Sequence, residues 1–147
     1  MLLSILVNGI HEQKIKNTVI TFKDKNLEQV IRTNINKPYG SILKGDVDTI
    51  KELSVRKKNI SSIFGIENLT NLIHLDLSFN KINNIEPVRG LTNLLDLRLN
   101  SNQIRDIDPL RELTNLLSLH LDSNQIKDYS SVSHYYKNLQ DKDFTLH

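Results

Sequence analysis

The apolar positions of this chain return every 22 residues through its middle. Leu75, Leu77, Asn80 and Ile82 recur as Leu97, Leu99, Asn102 and Ile104, then as Leu119, Leu121, Asn124 and Ile126. One step back the same columns hold Leu53, Val55 and Ile60, with Lys58 in the Asn column. The rest of the period repeats as well. Ile63, Ile85, Ile107 and Tyr129 share a column, as do Ile66, Val88, Leu110 and Val132. Leu69, Leu91 and Leu113 share another, followed by Tyr135, and Thr-Asn-Leu recurs from Thr70, Thr92 and Thr114. A fixed period of this length, kept without gaps, predicts a stack of supersecondary units rather than a conventional domain. Within each unit, in–out alternation predicts a short strand, with Leu75 and Leu77 inward and Asp76 and Ser78 outward. Stacking then gives a parallel sheet backed by continuous Leu/Ile columns. Asn80, Asn102 and Asn124 form a structural column where the chain leaves the strand, so that an amide satisfies the backbone of adjacent turns. Pro87 and Pro109 open outer segments expected to be single helical or 3₁₀ turns, because a proline there loses no needed N–H.

The ends break the pattern, as the exposed ends of a stack must. Residues 53–128 hold four repeats. Before them, residues 22–52 read as a helical cap: Asp24 can N-cap a helix carrying Leu27, Val30, Ile31 and Ile35, and Lys37-Pro38-Tyr39-Gly40 stops it. A helical turn is expected around Asp46 to Glu52. Residues 1–21 carry Asn8-Gly9 followed by a β-branched run, which predicts a β-hairpin or extended segment. After the repeats, residues 129–147 read as a C-terminal cap. There Val132, Tyr135, Tyr136 and Leu139 fall at the spacing of an amphipathic helix laid across the last repeat, with the tyrosine hydroxyls in water.

Composition and charge narrow the chemistry. The 147 residues include 23 Leu, 17 Ile and 17 Asn, and no Ala, Cys or Trp. Without cysteine there is no disulfide scaffold, thiolate metal site or thiol nucleophile. The net charge of +2 hides an asymmetry: residues 1–58 carry eleven Lys/Arg against six Asp/Glu, and residues 59–128 six against nine. The densest basic run, Arg56-Lys57-Lys58, reads as a solvated face, too small for nucleic acid. No stretch is long enough to span a bilayer, and Met1 to Val7 lacks the features of a signal peptide.

The spacing of Leu75 to Ile82 and its copies resembles the leucine-rich repeat. From about Phe22 to Phe144 the chain is similar to the internalin-type, 22-residue class of bacterial leucine-rich repeat proteins. The matching pieces are the cap helix at Asp24–Asn36, the Leu-Thr-Asn-Leu junctions, the turn Asp108-Pro109-Leu110 and the terminal Asp128-Tyr129-Ser130. The resemblance implies an α/β repeat: a leucine-rich-repeat solenoid with a short parallel sheet on its concave face, an N-terminal helical cap and a C-terminal amphipathic helix cap. It also implies binding of a protein through the concave face, and secretion or display at the cell surface. The lack of a signal peptide in the chain as read leaves a cytoplasmic location open.

The outward columns supply the candidate site. They run Glu52, His74, Asp96, Ser118; then Ser54, Asp76, Arg98, His120; then Arg56, Ser78, Asn100, Asp122; with Lys57, Phe79, Ser101, Ser123 on the flank. The partner-binding candidates are His74, Asp76, Phe79, Asp96, Arg98, Asn100, His120 and Asp122. Phe79 is either an exposed anchor or a cover over the Asn column. Asp76 and Arg98 are expected to pair across strands, and His120 to be a plain surface residue. His74 between Glu52 and Asp96 invites a metal reading, but a metal site needs three placed ligands and a supporting shell. Nothing supplies a nucleophile, oxyanion hole or phosphate loop. The expectation is therefore a non-enzymatic, monomeric module with no cofactor or metal, whose partner is a protein rather than a nucleic acid or membrane. Alternatives are an intracellular regulatory subunit that holds an enzyme such as a protein phosphatase, and a structural spacer in a larger surface protein.

Overall fold

The computed structural model describes residues 1–146. Four strands follow one another at the repeat period: β3 (Glu52–Ser54), β4 (His74–Asp76), β5 (Asp96–Arg98) and β6 (Ser118–His120). They pair in parallel and in sequence order, with Leu53, Leu75, Leu97 and Leu119 side by side. The first three units then cross the outer side through a 3₁₀ turn, at Ile66–Asn68, Glu86–Val88 and Asp108–Leu110, with proline at the start of the second and third. Between sheet and turns the Leu/Ile/Val columns are sealed; Leu77, Ile82, Leu99, Ile104 and Leu121 are all fully buried.

Two amide ladders tie the units together. Asn102 Nδ2 donates to the carbonyls of Leu77 and Leu99 (both 3.0 Å), and its Oδ1 accepts from Ile82 N (3.0 Å). Asn80 makes the equivalent bonds to Val55, Leu77 and Ile60, and Asn124 to Leu99, Leu121 and Ile104. These amides sit where the strand ends and the backbone turns inward, away from water. At the outer junction, Asn71, Asn93 and Asn115 donate one unit back, to the carbonyls of Asp48, Thr70 and Thr92. A third column starts the outer turns: Asn84, Asp106 and Asp128 each accept from the backbone N–H two residues on.

The first unit has Lys58 in place of the buried Asn, and the cap compensates. Helix α2 (Lys25–Asn34) buries Leu27 and Ile31 on that end of the core. Asn26 Nδ2 donates to Lys58 O (3.1 Å). Asp24 accepts from Asn26 N and Leu27 N at its own helix start, and from Ser61 N and Ser62 N of the first unit. A two-stranded antiparallel ribbon of β1 (Val19–Ile20) and β2 (Ile42–Leu43) completes the cap. Gly65 permits this docking: its φ is +105°, and a Cβ there would lie 2.5 Å from Thr21 O and 2.6 Å from the Phe22 ring.

Both termini correct the expectations from sequence. Residues 1–21 do not form a hairpin. Helix α1 (Leu2–Lys16) runs straight through Asn8-Gly9, and only Val19–Ile20 is extended. The reason is local. Glu12, Gln13, Lys14 and Lys16 favour helix over strand, and a glycine inside a helix costs only about 1 kcal/mol. The turn expected around Asp46 to Glu52 begins earlier, as α3 (Lys44–Val47).

At the other end, the cap is not one continuous helix. A single turn, α4 (Ser130–Ser133), leads into a 3₁₀ turn at Tyr136–Asn138 and then into a fifth parallel strand, β7 (Asp141–Lys142). Ser118 pairs with Asp141, so the last step is 23 residues rather than 22. Leu139 and Phe144 then fill the columns of Leu116 and Leu121, and both are buried. The tyrosine hydroxyls are not in water. Tyr135 is buried and donates to Leu110 O (2.8 Å), and Tyr136 donates to Phe144 O (3.0 Å). Burial pushes the Tyr135 hydroxyl pKa up, which keeps it a donor. His147, the last residue of the expected cap, lies outside the described residues.

Two predictions follow from these bonds. Asn102→Leu leaves the buried Ile82 N–H without its acceptor, at about 1–3 kcal/mol for the unpaired group, and removes one amide bond from each of the Leu77 and Leu99 carbonyls, which Asn80 and Asn124 still serve, whereas Asn93→Leu loses one exposed bond and at most about 1 kcal/mol. Urea denaturation should separate the two variants clearly. The second concerns Asp24. Burial by itself raises its carboxyl pKa, but four backbone N–H groups, those of Ser61, Asn26, Leu27 and Ser62, outweigh burial and hold the pKa below the ordinary carboxylate value. A lowered folded pKa stabilises above the unfolded pKa, and that contribution is lost as pH falls through the folded value. Asp24→Ala should cost about 1–2 kcal/mol at neutral pH. Asp24→Asn should be less stable than wild type at neutral pH, with the gap closing in acid; denaturation midpoints against pH read both.

Candidate functional site on the concave sheet

The parallel register sets the outward side chains in rows across the sheet. One row runs Glu52, His74, Asp96, Ser118 and Asp141; the next runs Ser54, Asp76, Arg98 and His120. His74, Asp76, Asp96 and Arg98 line one shallow depression of about 370 Å³ together with Glu52 and Ser54. Asn100 is half-buried in the third row, and Asp122 is exposed at its far end.

The pairing within this face differs from the cross-strand expectation. Arg98 pairs with Asp96 on its own strand, through Nε to Oδ1 (3.3 Å) and Nη2 to Oδ2 (3.2 Å). That contact holds the guanidinium pKa above its usual value, with a smaller contribution from the Asp76 charge. Asp76 is occupied elsewhere: its Oδ1 accepts from Ser78 N (2.9 Å) and Ser78 Oγ (2.6 Å). Ser78, expected to point to solvent, is fully buried. Asp76 holds it from one side, and Arg56 Nη1 covers it from the other at 2.9 Å.

Phe79 is 40% exposed and has a φ of +58°. Lys57, Ser101 and Ser123, its equivalents in the other units, share this left-handed backbone, so the turn demands it of any residue in the column. A side chain with a Cβ adopts that conformation at a cost of about 1–2 kcal/mol. The ring lies under two cations, the Arg56 guanidinium at 4.1 Å from its centroid and the Lys57 ammonium at 5.1 Å.

His120 is not a plain surface residue. Its Nε2 lies 2.9 Å from Asp141 Oδ2, and its Nδ1 lies 3.4 Å from Asp143 Oδ2. The hydrogen bond to His120 lowers the Asp141 carboxyl pKa. Asp143 moves the other way: burial raises its pKa first, and a shared hydrogen bond with Asp122 adds to the rise. Asp143 Oδ1 meanwhile accepts from Leu121 N (2.6 Å) and Asp122 N (3.1 Å), closing the end of the sheet.

Two groups escaped the sequence reading. Asp141 and Asp143 were hidden by the one-residue insertion that disguises β7. Leu95 and Leu117 are exposed and Ile73 is half-buried, forming an apolar row at the strand starts. Their signal was the 22-residue recurrence of an apolar residue just after Leu72, Leu94 and Leu116. His74 stays exposed, and among the described residues no group of three or more His, Cys, Asp or Glu is placed to hold a metal ion. Among those residues no helix is long and apolar enough to cross a membrane.

Comparison with known proteins agrees with this geometry. The family described as Leucine Rich repeats (2 copies) matches residues 92–134. Comparison with curated proteins gives no match. Among solved structures, the chain is similar to an internalin (inlF) from Listeria monocytogenes, at 33% identity and a TM-score of 0.79, over 83% of this chain and 36% of that one. It is similar to internalin C2 from the same organism at 31% identity and a TM-score of 0.61, over 82% of this chain and 64% of that one. The functional domain of InlJ, also from Listeria monocytogenes, shares the fold at 24% identity and a TM-score of 0.69, over 86% of this chain and 28% of that one. That domain includes a cysteine ladder, whereas this chain has no cysteine and uses asparagine ladders. The chain thus spans 36% and 64% of the two internalins it matches above 30% identity.

The left-handed backbone at Phe79 separates fold from site. Phe79→Asn relieves a conformation that asparagine tolerates, so stability should hold or rise by up to about 1 kcal/mol. Leu97→Ala in the core should lose about 2–5 kcal/mol. A thermal or urea melt of both variants checks the contrast.

Proposed function

We propose, on the premise that this is an internalin-type leucine-rich repeat protein, that its concave sheet binds a protein partner and catalyses no reaction. The observation that carries this reading is Phe79. It is held partly exposed in a strained backbone position beside a row-ordered polar surface, where asparagine or glycine would serve the fold at less cost. The candidate contacts are His74, Asp76, Phe79, Asp96, Arg98, Asn100, His120 and Asp122, and the exposed Leu95 and Leu117 extend the face along one flank. Most of these side chains are already held by neighbours, so little ordering entropy is lost on binding. A sheet of five strands spans about 19 Å, so the flanks must contribute for the contact to reach a standard interface of about 800 Å² per partner.

A binder selected from a displayed protein library, then mapped by hydrogen exchange, tests the reading. Protection should fall on β3 to β7, and the double variant Phe79→Ala/Arg98→Glu should weaken binding at least tenfold. Protection confined to the outer 3₁₀ turns, with the double variant binding as wild type, would sink it.

A further inference from the structure

The two ends of the concave face carry opposite charge, and each end is built differently. At the first strand, Arg56 is fixed between the Phe79 ring and Ser78 Oγ, and Lys57 reaches the same ring. Arg32, Lys37, Lys44, Arg89, Arg98 and Arg111 all pair with carboxylates. Among the described residues no carboxylate forms an ion pair with Arg56 or Lys57, so a preorganised guanidinium with spare donors faces outward. At the last two strands Asp141 and Asp143 flank a single imidazole, that of His120, and Asp122 shares a hydrogen bond with Asp143.

We propose that the partner is a polypeptide segment that crosses the strands with an acidic side chain over Arg56 and a basic side chain over Asp122 and Asp143. This rests on the concave face being the binding face. Arg56 and Asp122 lie in one row, three strand steps apart, and Asp143 follows on the next strand in the neighbouring row, beside His120. At about 4.8 Å per step the two charges are roughly 14–19 Å apart, which an extended segment covers in about four to six residues. Charge complementarity selects a polypeptide over a polyanion. A phosphodiester strand or an anionic membrane satisfying Arg56 would have to lie across Asp122, Asp141 and Asp143, where like charges oppose it. A polypeptide carries both signs on one backbone.

The test uses the full chain and three synthetic eight-residue peptides with two charged positions five residues apart: Glu with Arg, Glu with Glu, and Arg with Arg. Anisotropy titrations at low salt should show the mixed peptide binding at least tenfold tighter than either like-charged one. In the Arg56→Glu/Lys57→Glu variant the preference should switch to the Arg/Arg peptide. Inorganic phosphate at millimolar concentration should not compete. Equal binding of the three peptides, no binding, tightest binding of Glu/Glu, competition by phosphate, or an unchanged preference in the variant would each overturn the proposal. A selected partner that protects the concave strands but ignores the Arg56→Glu change overturns this charge assignment and leaves the concave-face reading standing. Protection confined to the outer turns removes both.

Discussion

Every turn of this solenoid takes a stretch of backbone out of water at the point where the strand ends. That stretch cannot pair with its own unit, because the chain is changing direction. An amide that donates to two carbonyls and accepts from a neighbouring N–H solves the problem; the buried Asn80 and Asn102 and the half-buried Asn124 supply it three times. The strand register depends on these side chains. With one asparagine bonding the backbone of two units, the units cannot slip without breaking several buried hydrogen bonds at once. The rigid concave rows are a consequence of this ladder, since outward residues meet only if the inward ones stay in step.

A repeating ladder has to stop somewhere, and the two ends stop it by different means. At the first unit the cap helix brings in Asp24 and Asn26, which satisfy backbone that the Lys58 position leaves open. At the last unit the chain adds one residue, passes through β7 and lays Phe144 against Tyr129 and Tyr136, with ring centroids 5.2 and 5.5 Å apart. Asp143 then takes the place of a neighbouring strand, accepting from Leu121 N and Asp122 N. Capping the sheet with a carboxylate therefore places negative charge at one end of the concave face. The same residues close the fold and give the surface its polarity.

The candidate site was partly legible in the sequence. Periodicity alone placed His74, Asp76, Asp96, Arg98 and His120 on one face, because a strict two-residue alternation leaves them no other direction. It did not give their partners. Arg98 could reach Asp76 across the strands or Asp96 on its own; in the folded chain it pairs with Asp96, while Asp76 Oδ1 accepts from the Ser78 hydroxyl and N–H. Arg56 looked like one cation in a solvated run; only the placement of the Phe79 ring beneath it makes it an ordered group.

Length of period, order of strands, identity of core columns and position of the turn amides all follow from the sequence by itself, because a repeat states each rule several times. The termini state their rules once. Asn8-Gly9 reads as a hairpin or an extended segment, yet it lies inside a helix, where the helix-favouring residues after it prevail. The last strand was masked by a single inserted residue, since β7 is recognised by pairing with β6 and not by its own short sequence. Which charges are free and which are spent was likewise decided in three dimensions. Which of several partners within a few ångströms a side chain meets depends on its placement in the folded chain, and that choice has no trace in the spacing of residues along the sequence.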